Sequence, residues 1–448
     1  MTQDSIGSRA DQDREATGPS IAFDEALRVW IRVALLSFGG PAGQIATMNR
    51  ILVDEKKWIA EDRFLHALNF CMLLPGPEAQ QLAIYIGWLL HRIKGGLVAG
   101  ILFVLPGAAA MMALSWLYVL AGRVAPVAAL FFGLKAAVVA IVFHAVHRIA
   151  RRALTSWKQY GIAASAFVAL FLLQIPFPAV ISAAALLGLI GGIDATVPKM
   201  EADRSDVGKQ AKSQHVRVWL IAALLLLWLA PMGLLHVIGP PAGALGEISS
   251  FFSRLATVSF GGAYAALSWA GQVAVDHYHW LTPHEMLDGL GLAESTPGPL
   301  IIVTQHIGFL AAYRSPGVLP PLLAGTLGGL ITTWAIFTPC FLWVFLGAPY
   351  VERLRRNRTL GAALSGITAA VVGVILNLGL WFALHFWFGQ VLDQRIGPLH
   401  VPNLVWASLD PSALLLSFAA LAAAFLFRRG TFAILGGCAV AGLVLKLV

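Results

Sequence analysis

Charged residues are scarce in this chain. Asp, Glu, Lys and Arg make up 12% of its 448 residues, against about 25% in an average soluble domain, and 58% of the residues are hydrophobic. This composition excludes an ordinary soluble protein. The apolar residues form runs of about 20 or more, the length that an α-helix needs to cross a hydrocarbon core of about 30 Å. Since lipid offers the backbone no other hydrogen-bond partner, we expect an all-α polytopic membrane protein.

Cysteines and the motifs of enzymes are also lacking. The three cysteines, Cys71, Cys340 and Cys438, lie far apart in apolar segments without His or Cys at metal-ligand spacing, so we expect buried, inert thiols and no metal site. The loops contain no His-Glu-x-x-His motif, nucleophile elbow or clustered carboxylate pair, which argues against an enzyme and against a cofactor. The first 23 residues have no apolar core of a signal peptide and predict a disordered cytoplasmic tail.

The excess of basic residues has a topological explanation. The net charge of +8 does not indicate nucleic-acid binding, because membrane proteins concentrate Lys and Arg in cytoplasmic loops. With the N-terminus inside, the predicted cytoplasmic loops hold seventeen Lys and Arg residues, against three in most of the outer loops. One loop breaks this rule, since it would lie outside and yet carries Arg50, Lys56, Lys57 and Arg63.

The apolar runs suggest about 13 segments, of which about 10 to 13 would be spans. One long charged stretch, Asp194 to Gln214, divides the chain near its middle. The predicted organisation is therefore a tail at 1–23, a first repeat at 24–193, a charged cytoplasmic linker at 194–216, a connecting transmembrane segment at 217–247 and a second repeat at 248–448.

An internal repeat is the strongest organisational signal. Residues 32–77 match residues 254–299 without a gap, at an offset of 222, with fourteen identities in 46 positions. Later the offset becomes 233, which pairs Pro106 with Pro339. Seven predicted crossings separate the copies, and an odd number turns the second copy upside down. Inverted-topology repeats are typical of secondary transporters, whose substrate site lies at the repeat interface near the bilayer midplane.

Each repeat contains two interruptions of an apolar helix: Ser37-Phe-Gly-Gly-Pro41 and Leu74-Pro-Gly-Pro-Glu78, then Ser259-Phe-Gly-Gly262 and Thr296-Pro-Gly-Pro299. A Pro-Gly-Pro run cannot sustain the helical hydrogen bonds, and the positive start of the next half-helix suits an anion. A simple proline kink is the alternative. The candidate binding residues on these breaks are Ser37, Gly39, Gly40, Pro41, Pro75, Gly76, Pro77, Ser259, Gly261, Gly262, Thr296, Pro297, Gly298 and Pro299.

Four blocks around the breaks, FGGPAGQIATM, LLPGPEAQQLAIYIG, SFGGAYAALSWAGQ and AESTPGPLIIVTQHIGF, resemble the paired signature motifs of chromate transporters. Their order resembles the long-chain, two-domain type of this chromate ion transporter family, and the resemblance covers the chain from roughly residue 24 onward. It implies export of chromate across the bacterial inner membrane and chromate resistance, with sulfate as the close chemical analogue.

Two arginines occupy equivalent positions before the Ser-Phe-Gly-Gly motifs. Arg32 and Arg254 form a pseudo-symmetric pair of cations that could hold a tetrahedral dianion, because the guanidinium fork matches oxyanion geometry. The alternative is that both side chains reach the headgroups from near a helix end.

Two further charges break the symmetry of the repeats. Lys135 corresponds to Thr368 and Glu78 to Leu300, so neither charge is explained by a structural role that both repeats share. We hypothesise that Glu78 competes with the anion for a helix start and is protonated when substrate binds, which would couple transport to the proton motive force. A structural carboxylate stabilised by the helix dipole is the alternative.

Several polar residues near the breaks complete the candidate site. Glu294 is the acidic counterpart in the second half. The remaining candidates are four glutamines: Gln44, Gln80, Gln81 and Gln305. Their side-chain amides could donate hydrogen bonds to the substrate or bond to backbone freed by the breaks.

Re-entrant hairpins would remove the exception to the charge rule. If the motif segments turned back at Gly-Gly-Pro and Pro-Gly-Pro, the loop with Arg50, Lys56 and Lys57 would lie inside. A segment of this length accommodates two half-helices of about 11 residues, each rising about 16 Å.

The expected partners are chromate or a similar oxyanion, the lipid bilayer and protons as coupling ion, with no nucleic acid; a homodimer is an open option. The alternatives are a transporter of sulfate or another oxyanion, a membrane enzyme and an anion channel.

Overall fold

The computed structural model describes residues 21–122, 124–191, 214–239, 243–348 and 358–447. The tail predicted at 1–23 and the charged linker predicted at 194–216 lie almost wholly outside these residues.

Helices make up most of both halves. The helices of the first half are α1 (Phe23–Leu36), α2 (Gly40–Asn49) with a π-helical extension (Arg50–Glu55), α3 (Glu61–Cys71), α4 (Glu78–Ala121), α5 (Ala125–Ala153), α6 (Trp157–Phe171) and α7 (Phe177–Ile190). Helix α8 (Gln214–Ile238) leads to the second half. The elements of the second half are α9 (Leu245–Val258), α10 (Ala263–Gln272) with a π-helical extension (Val273–His277), α11 (Pro283–Ser295), a 3-10 turn (Leu300–Ile302), α12 (Val303–Arg314), α13 (Pro321–Gly347), α14 (Arg358–Trp387), β1 (Val391–Ile396), β2 (Leu399–Leu404), a 3-10 turn (Trp406–Ser408), α15 (Pro411–Phe425) and α16 (Thr431–Leu447).

The helices of the two halves begin and end at positions related by the same offsets as the sequence repeat. Helix α9 begins and ends 222 residues after α1, and α11 begins 222 residues after α3. With the offset of 233, the start of α5 corresponds to the start of α14. Both copies end their first helix at a serine and then place two glycines at positive φ, which side chains rarely adopt.

Each motif segment is a helical hairpin that turns at its break. In the first hairpin, Lys56 Nζ lies 2.8 Å from Glu25 Oε1, so the end of the α2 extension is beside the start of α1. In the last hairpin, Arg314 at the end of α12 pairs with Glu285 at the start of α11. The open end of each hairpin therefore lies opposite its break.

Helix α4 is folded in two. Residues His91 and Arg92 have non-helical backbone angles, and the two limbs approach so closely that a Cβ on Gly87 would overlap the backbone of Gly95. The second limb then packs against α13. Gly100 lies against the ring of Phe341, and Trp116 Nε1 donates to Thr326 Oγ1 at 3.0 Å.

These contacts place α13 antiparallel to its own equivalent in the first half, the second limb of α4. Gly96, near the start of that limb, faces Phe345 near the end of α13, whereas Met112 faces Gly329 near its start. The two helices lie side by side along their length. The open end of the first hairpin is near the start of the second limb, because His91 Nε2 lies 2.8 Å from the Ile21 carbonyl. The open end of the last hairpin is near the start of α13, which follows Arg314 closely in the chain.

Five helices among the described residues are long and apolar enough to cross a membrane: α4, α5, α8 from Val218, α13 and α14 from Thr359. Shorter apolar helices accompany them, such as α7 and α15. The chain is therefore a mostly helical, polytopic membrane protein. The antiparallel β1–β2 hairpin, with Val391 opposite Leu404, lies beyond the end of α14 and is anchored where the His400 N–H donates to the Leu172 carbonyl.

Candidate functional site

The four breaks meet at the interface of the two halves. The N–H of Gly298 donates to the Ser37 carbonyl at 2.8 Å, and the N–H of Gly76 donates to the Ser259 carbonyl at 2.9 Å. The second bond is the first one repeated at an offset of 222, so each Pro-Gly-Pro break binds the Ser-Phe-Gly-Gly break of the other half.

The bonded glycines also pack on the proline-containing helices at the centre. A Cβ on Gly298 would lie 3.1 Å from Gly107 Cα, next to Pro106 in α4. A Cβ on Gly76 would lie 3.1 Å from Cys340 Sγ, next to Pro339 in α13. These contacts leave no room for larger residues, so the two Pro-Gly-Pro turns are held in place by the opposite half.

Four helix starts lie at the breaks. Helices α2, α4 and α10 and the 3-10 turn at Leu300 all begin here, and none of the four has a side chain that caps its first N–H groups. Free N–H groups and the partial positive charge of a helix start favour an anion. Ser37 and Ser259 do not supply donors to the break, because each hydroxyl donates to its own helix, to Val33 and Leu255 respectively.

Glu78 stands at one of these helix starts, beside the opposite half. A Cβ on Gly262 would lie 3.3 Å from Glu78 Oε1. Within the described part of the chain, no donor or cation binds the Glu78 carboxylate, which is only partly buried. Glu78 therefore faces the second half's Ser-Phe-Gly-Gly break without a fixed partner.

Glu294 is held differently. The Tyr264 hydroxyl donates to Glu294 Oε1 at 2.8 Å, and Glu294 is buried. The same hydroxyl lies close to Gly40 in the first half, 3.9 Å from a Cβ built there. The carboxylates of the two halves thus lie near opposite Gly-Gly turns: Glu294 is bonded to Tyr264, whereas Glu78 has no side-chain partner among the residues that the structure describes.

The four glutamine amides all lie against backbone carbonyls, of which those of Gly298 and Pro75 belong to the breaks. Gln44 Nε2 donates to the Gly298 carbonyl at 2.5 Å, Gln81 Nε2 to the Pro75 carbonyl at 2.7 Å and Gln305 Nε2 to the Ala108 carbonyl at 3.0 Å. Gln80 Nε2 lies 3.5 Å from the Phe337 carbonyl. Each amide nitrogen therefore has one of its two N–H groups directed at a protein carbonyl, and binding of substrate by the other stays a prediction.

The two arginines point away from the breaks. Arg32 Nη1 lies 2.7 Å from Glu55 Oε2, at the open end of the first hairpin, with about half of its side chain exposed. Arg254 is exposed and donates to the Ser250 carbonyl of its own helix at 3.2 Å.

Comparison with known proteins divides the chain into the same two halves. The sequence profile of the chromate transporter family matches residues 25–189 and 246–443. The chain belongs to the chromate transporter family. A chromate transport protein of Pseudomonas aeruginosa is 32% identical over 404 residues, which cover 89% of this chain and 88% of that protein. A chromate transport protein of Cupriavidus metallidurans is 28% identical, over 80% and 82% of the two chains. No solved structure matches this member of the family.

This chromate transporter family member also contains a buried ion pair that the sequence did not predict. Lys135 Nζ in α5 lies 3.2 Å from Asp288 Oδ1 in α11, with 15% and 6% of the side chains exposed. The Tyr118 hydroxyl donates to Asp288 Oδ2 at 3.0 Å. Lys135 was predicted to bind the substrate, and in the structure its ammonium group pairs with Asp288. The available signal was an Asp inside the apolar segment 285–312, which is costly in a membrane unless it has a function.

A cavity of about 1000 Å³ opens at the end of the molecule that holds the open hairpins of the second half. Its wall includes Asp276, Pro283, Arg314, His385 and the β-hairpin residue Asp393. The breaks do not line it. Within the described residues there is no cluster of three or more His, Cys, Asp or Glu side chains suited to a metal ion.

Proposed function

We propose that this chain exports chromate across the bacterial inner membrane, confers chromate resistance and is driven by the proton motive force. The observation that carries the proposal is the pair of reciprocal bonds, Gly298 to Ser37 and Gly76 to Ser259, which gathers four uncapped helix starts at one place. The relatives named as chromate transport proteins support the substrate.

The architecture we propose is two inverted-topology repeats. Helix α13 runs antiparallel to the second limb of α4, its equivalent, as expected when the second copy is upside down. Transporters of this kind bind substrate between the repeats, where broken helices expose their ends. We therefore expect the substrate to bind at the breaks, because the breaks form the contact between the two halves.

The four motif hairpins are proposed to be re-entrant. The ion pair of Glu25 with Lys56 puts the basic loop at the same end as the start of α1. If the N-terminus is cytoplasmic, this loop joins the other Lys- and Arg-rich loops on one side, and the charge rule holds throughout. The cavity and the β-hairpin then face the periplasm.

A tetrahedral dianion suits this position because backbone N–H groups from several helix starts can surround it. Arg32 and Arg254 remain candidate cations for the anion. That role requires Arg32 to leave Glu55 and Arg254 to leave the Ser250 carbonyl, so both would act during entry or in another state of the transport cycle.

Glu78 is the proposed proton-coupling residue. Its carboxylate shares the helix start with the expected anion, and two negative charges there repel each other. Protonation of Glu78 removes this repulsion, so anion binding and proton uptake favour each other. The lack of a side-chain partner among the described residues supports this role, because only the helix start, which would also bind the anion, favours the charged carboxylate.

Chromate accumulation by everted membrane vesicles tests the proposal. We expect uptake that a proton uncoupler abolishes. Uptake suppressed fully by a small excess of sulfate would indicate a general oxyanion transporter, and flux unaffected by the uncoupler would indicate a channel. Vesicles that contain the folded protein and take up no chromate would contradict the proposal.

A further inference from the structure

The Ser-Phe-Gly-Gly turn of the first half has open space beside it. Within the described part of the chain, a Cβ built on Gly39 would meet nothing within 4 Å, and one on Gly40 would meet only the Tyr264 hydroxyl. That hydroxyl donates to Glu294, so a phenol group stands between this carboxylate and the turn. The start of α2, which Gly39 and Gly40 form, therefore has room for an anion and a partial positive charge that favours one.

The equivalent turn of the second half is filled. A Cβ built on Gly261 would overlap Val371, and one on Gly262 would lie 3.3 Å from Glu78 Oε1. The two turns share a sequence motif, but a carboxylate faces the second turn directly, whereas a hydroxyl faces the first. Because like charges repel each other, an anion that enters the breaks meets less repulsion at the turn of the first half.

A buried amide with unused hydrogen-bonding groups lies beside the open turn. Gln44 follows Gly40 by one turn of α2, and its side chain leans back toward the start of the helix. Only 1% of Gln44 is exposed, and its Oε1 has no hydrogen-bond partner among the described residues. Nε2 uses one of its two N–H groups for the Gly298 carbonyl. A buried polar atom without a partner indicates a bound water or ion, and a hydrated oxyanion would satisfy both the acceptor and the free donor.

Helix α5 brings a basic segment toward the same place, because it runs beside α11 in the same direction. Lys135 pairs with Asp288, and three residues further along both helices Val138 Cγ2 lies 3.7 Å from a Cβ built on Gly291. Glu294 is six residues after Asp288, about 9 Å along the helix. The last part of α5 therefore passes the end of α11 that carries Glu294.

Arg148 supplies a positive charge there. It lies about two turns along α5 beyond the level of Glu294, and its side chain leans back toward the start of the helix. Arg148 is partly buried, has no hydrogen bond or ion pair among the described residues, and interacts electrostatically with both Glu294 and Tyr264. The positions equivalent to these three residues have no charged side chain: Trp381, Met72 and Ala42.

We propose that the turn at Gly39 and Gly40 is the position at which the oxyanion enters the breaks, and that Arg148 binds it there. The guanidinium donates to the anion, for which its fork of N–H groups is suited, while Tyr264 keeps its bond to Glu294. In the proposed topology the Arg-rich end of α5 is cytoplasmic, so the anion meets Arg148 before it reaches the start of α4. This step moves no proton. The inference rests on the proposed function.

The affinity of the purified full-length protein for chromate, measured by isothermal titration calorimetry, tests the role of Arg148. We expect Arg148→Gln to raise the dissociation constant about tenfold or more, because a charge-assisted hydrogen bond is lost, and Arg148→Lys to recover part of the affinity. Chromate uptake by everted vesicles should show a higher KM with a similar maximal rate. Arg151→Gln removes the same charge from an exposed position one turn further along α5 and should match the wild type.

Gly39→Asp and Gly39→Asn test the position of the anion. Gly39 has φ 80° and ψ 36°, a left-handed conformation that Asp and Asn adopt more readily than most residues, and the space beside it is open. The two new side chains have the same shape, but only Asp brings a negative charge to the proposed position. We expect the Asp variant to bind chromate at least about tenfold more weakly than the Asn variant.

A folded Arg148→Gln protein with wild-type affinity overturns the inference, and so does an equal loss of affinity in Arg148→Gln and Arg151→Gln. Equal affinities of the two Gly39 variants overturn the proposed position. In these cases the wild type still binds chromate and the proposed function stands, whereas a folded wild type that binds no chromate overturns the proposed function. If Arg148→Gln does not fold, the substitution is made in Glu294→Gln protein, which lacks the opposite charge; equal affinity with and without it overturns the inference.

Discussion

The backbone N–H of Gly298 donates to the carbonyl oxygen of Ser37, 2.8 Å away and in the other half of the chain. The same bond recurs between Gly76 and Ser259. Two identical contacts related by the 222-residue offset imply a pseudo-twofold axis through the breaks. We therefore expect substrate binding and movement of the halves to be coupled at these bonds.

Glu78→Gln tests proton coupling at the breaks. The neutral amide resembles a protonated carboxyl and cannot release a proton, so we expect chromate uptake by everted vesicles to persist with a weaker pH dependence, smaller by about one proton. Asp54→Asn, an exposed carboxylate near the basic loop, is the control and should keep the wild-type pH profile. If Glu78→Gln retains chromate uptake with an unchanged pH dependence, Glu78 does not couple transport to protons.

Gly298→Ala tests the fit of the breaks. Gly298 has φ +93°, and an added Cβ would lie 3.1 Å from Gly107 Cα. Strained backbone costs about 1–3 kcal/mol, and the contact with Gly107 adds to this cost, so we expect a lower melting temperature and at least about tenfold slower chromate uptake.

Gly397→Ala is the matched control, because Gly397 also has positive φ, at +61°, but an added Cβ meets nothing within 4 Å. It should lose stability through backbone strain alone and retain transport. Equal transport in the two alanine variants would show that close packing at Gly298 is unimportant.

Lys135→Met tests the buried ion pair through stability. Leaving Asp288 charged and unpaired is expected to cost about 3–5 kcal/mol, whereas Lys135→Met/Asp288→Asn should recover most of that loss. Thermal unfolding in detergent, followed by intrinsic fluorescence, measures the difference. If the single and double variants melt together, the two side chains do not interact as the 3.2 Å distance indicates.

Cysteine labelling tests the proposed re-entrant topology. The described residues contain three cysteines, all buried, so the background is expected to be low. A membrane-impermeant thiol reagent added to intact cells should leave Lys57→Cys unlabelled and should label Asp393→Cys in the exposed β-hairpin, because the two sites lie at opposite ends of the molecule. Labelling of both sites from outside would contradict the hairpin arrangement.

The sequence by itself determined the class, the family and the duplication. Apolar runs and few charges require membrane helices, and the match of residues 32–77 with 254–299 located all four breaks. Local chemistry was sufficient here, since Pro-Gly-Pro cannot remain helical in any context.

Only the tertiary structure decided which breaks meet and which charges pair. The bond between Gly298 and Ser37 joins residues 261 positions apart, and no local pattern specifies it. The amphipathic sequence around Arg32 permits its side chain to point either toward the breaks or away from them. In the structure the side chain points away from the breaks and pairs with Glu55. Lys135 and Asp288 show the same limit, because no sequence pattern pairs them and only the packing of α5 on α11 brings the two together.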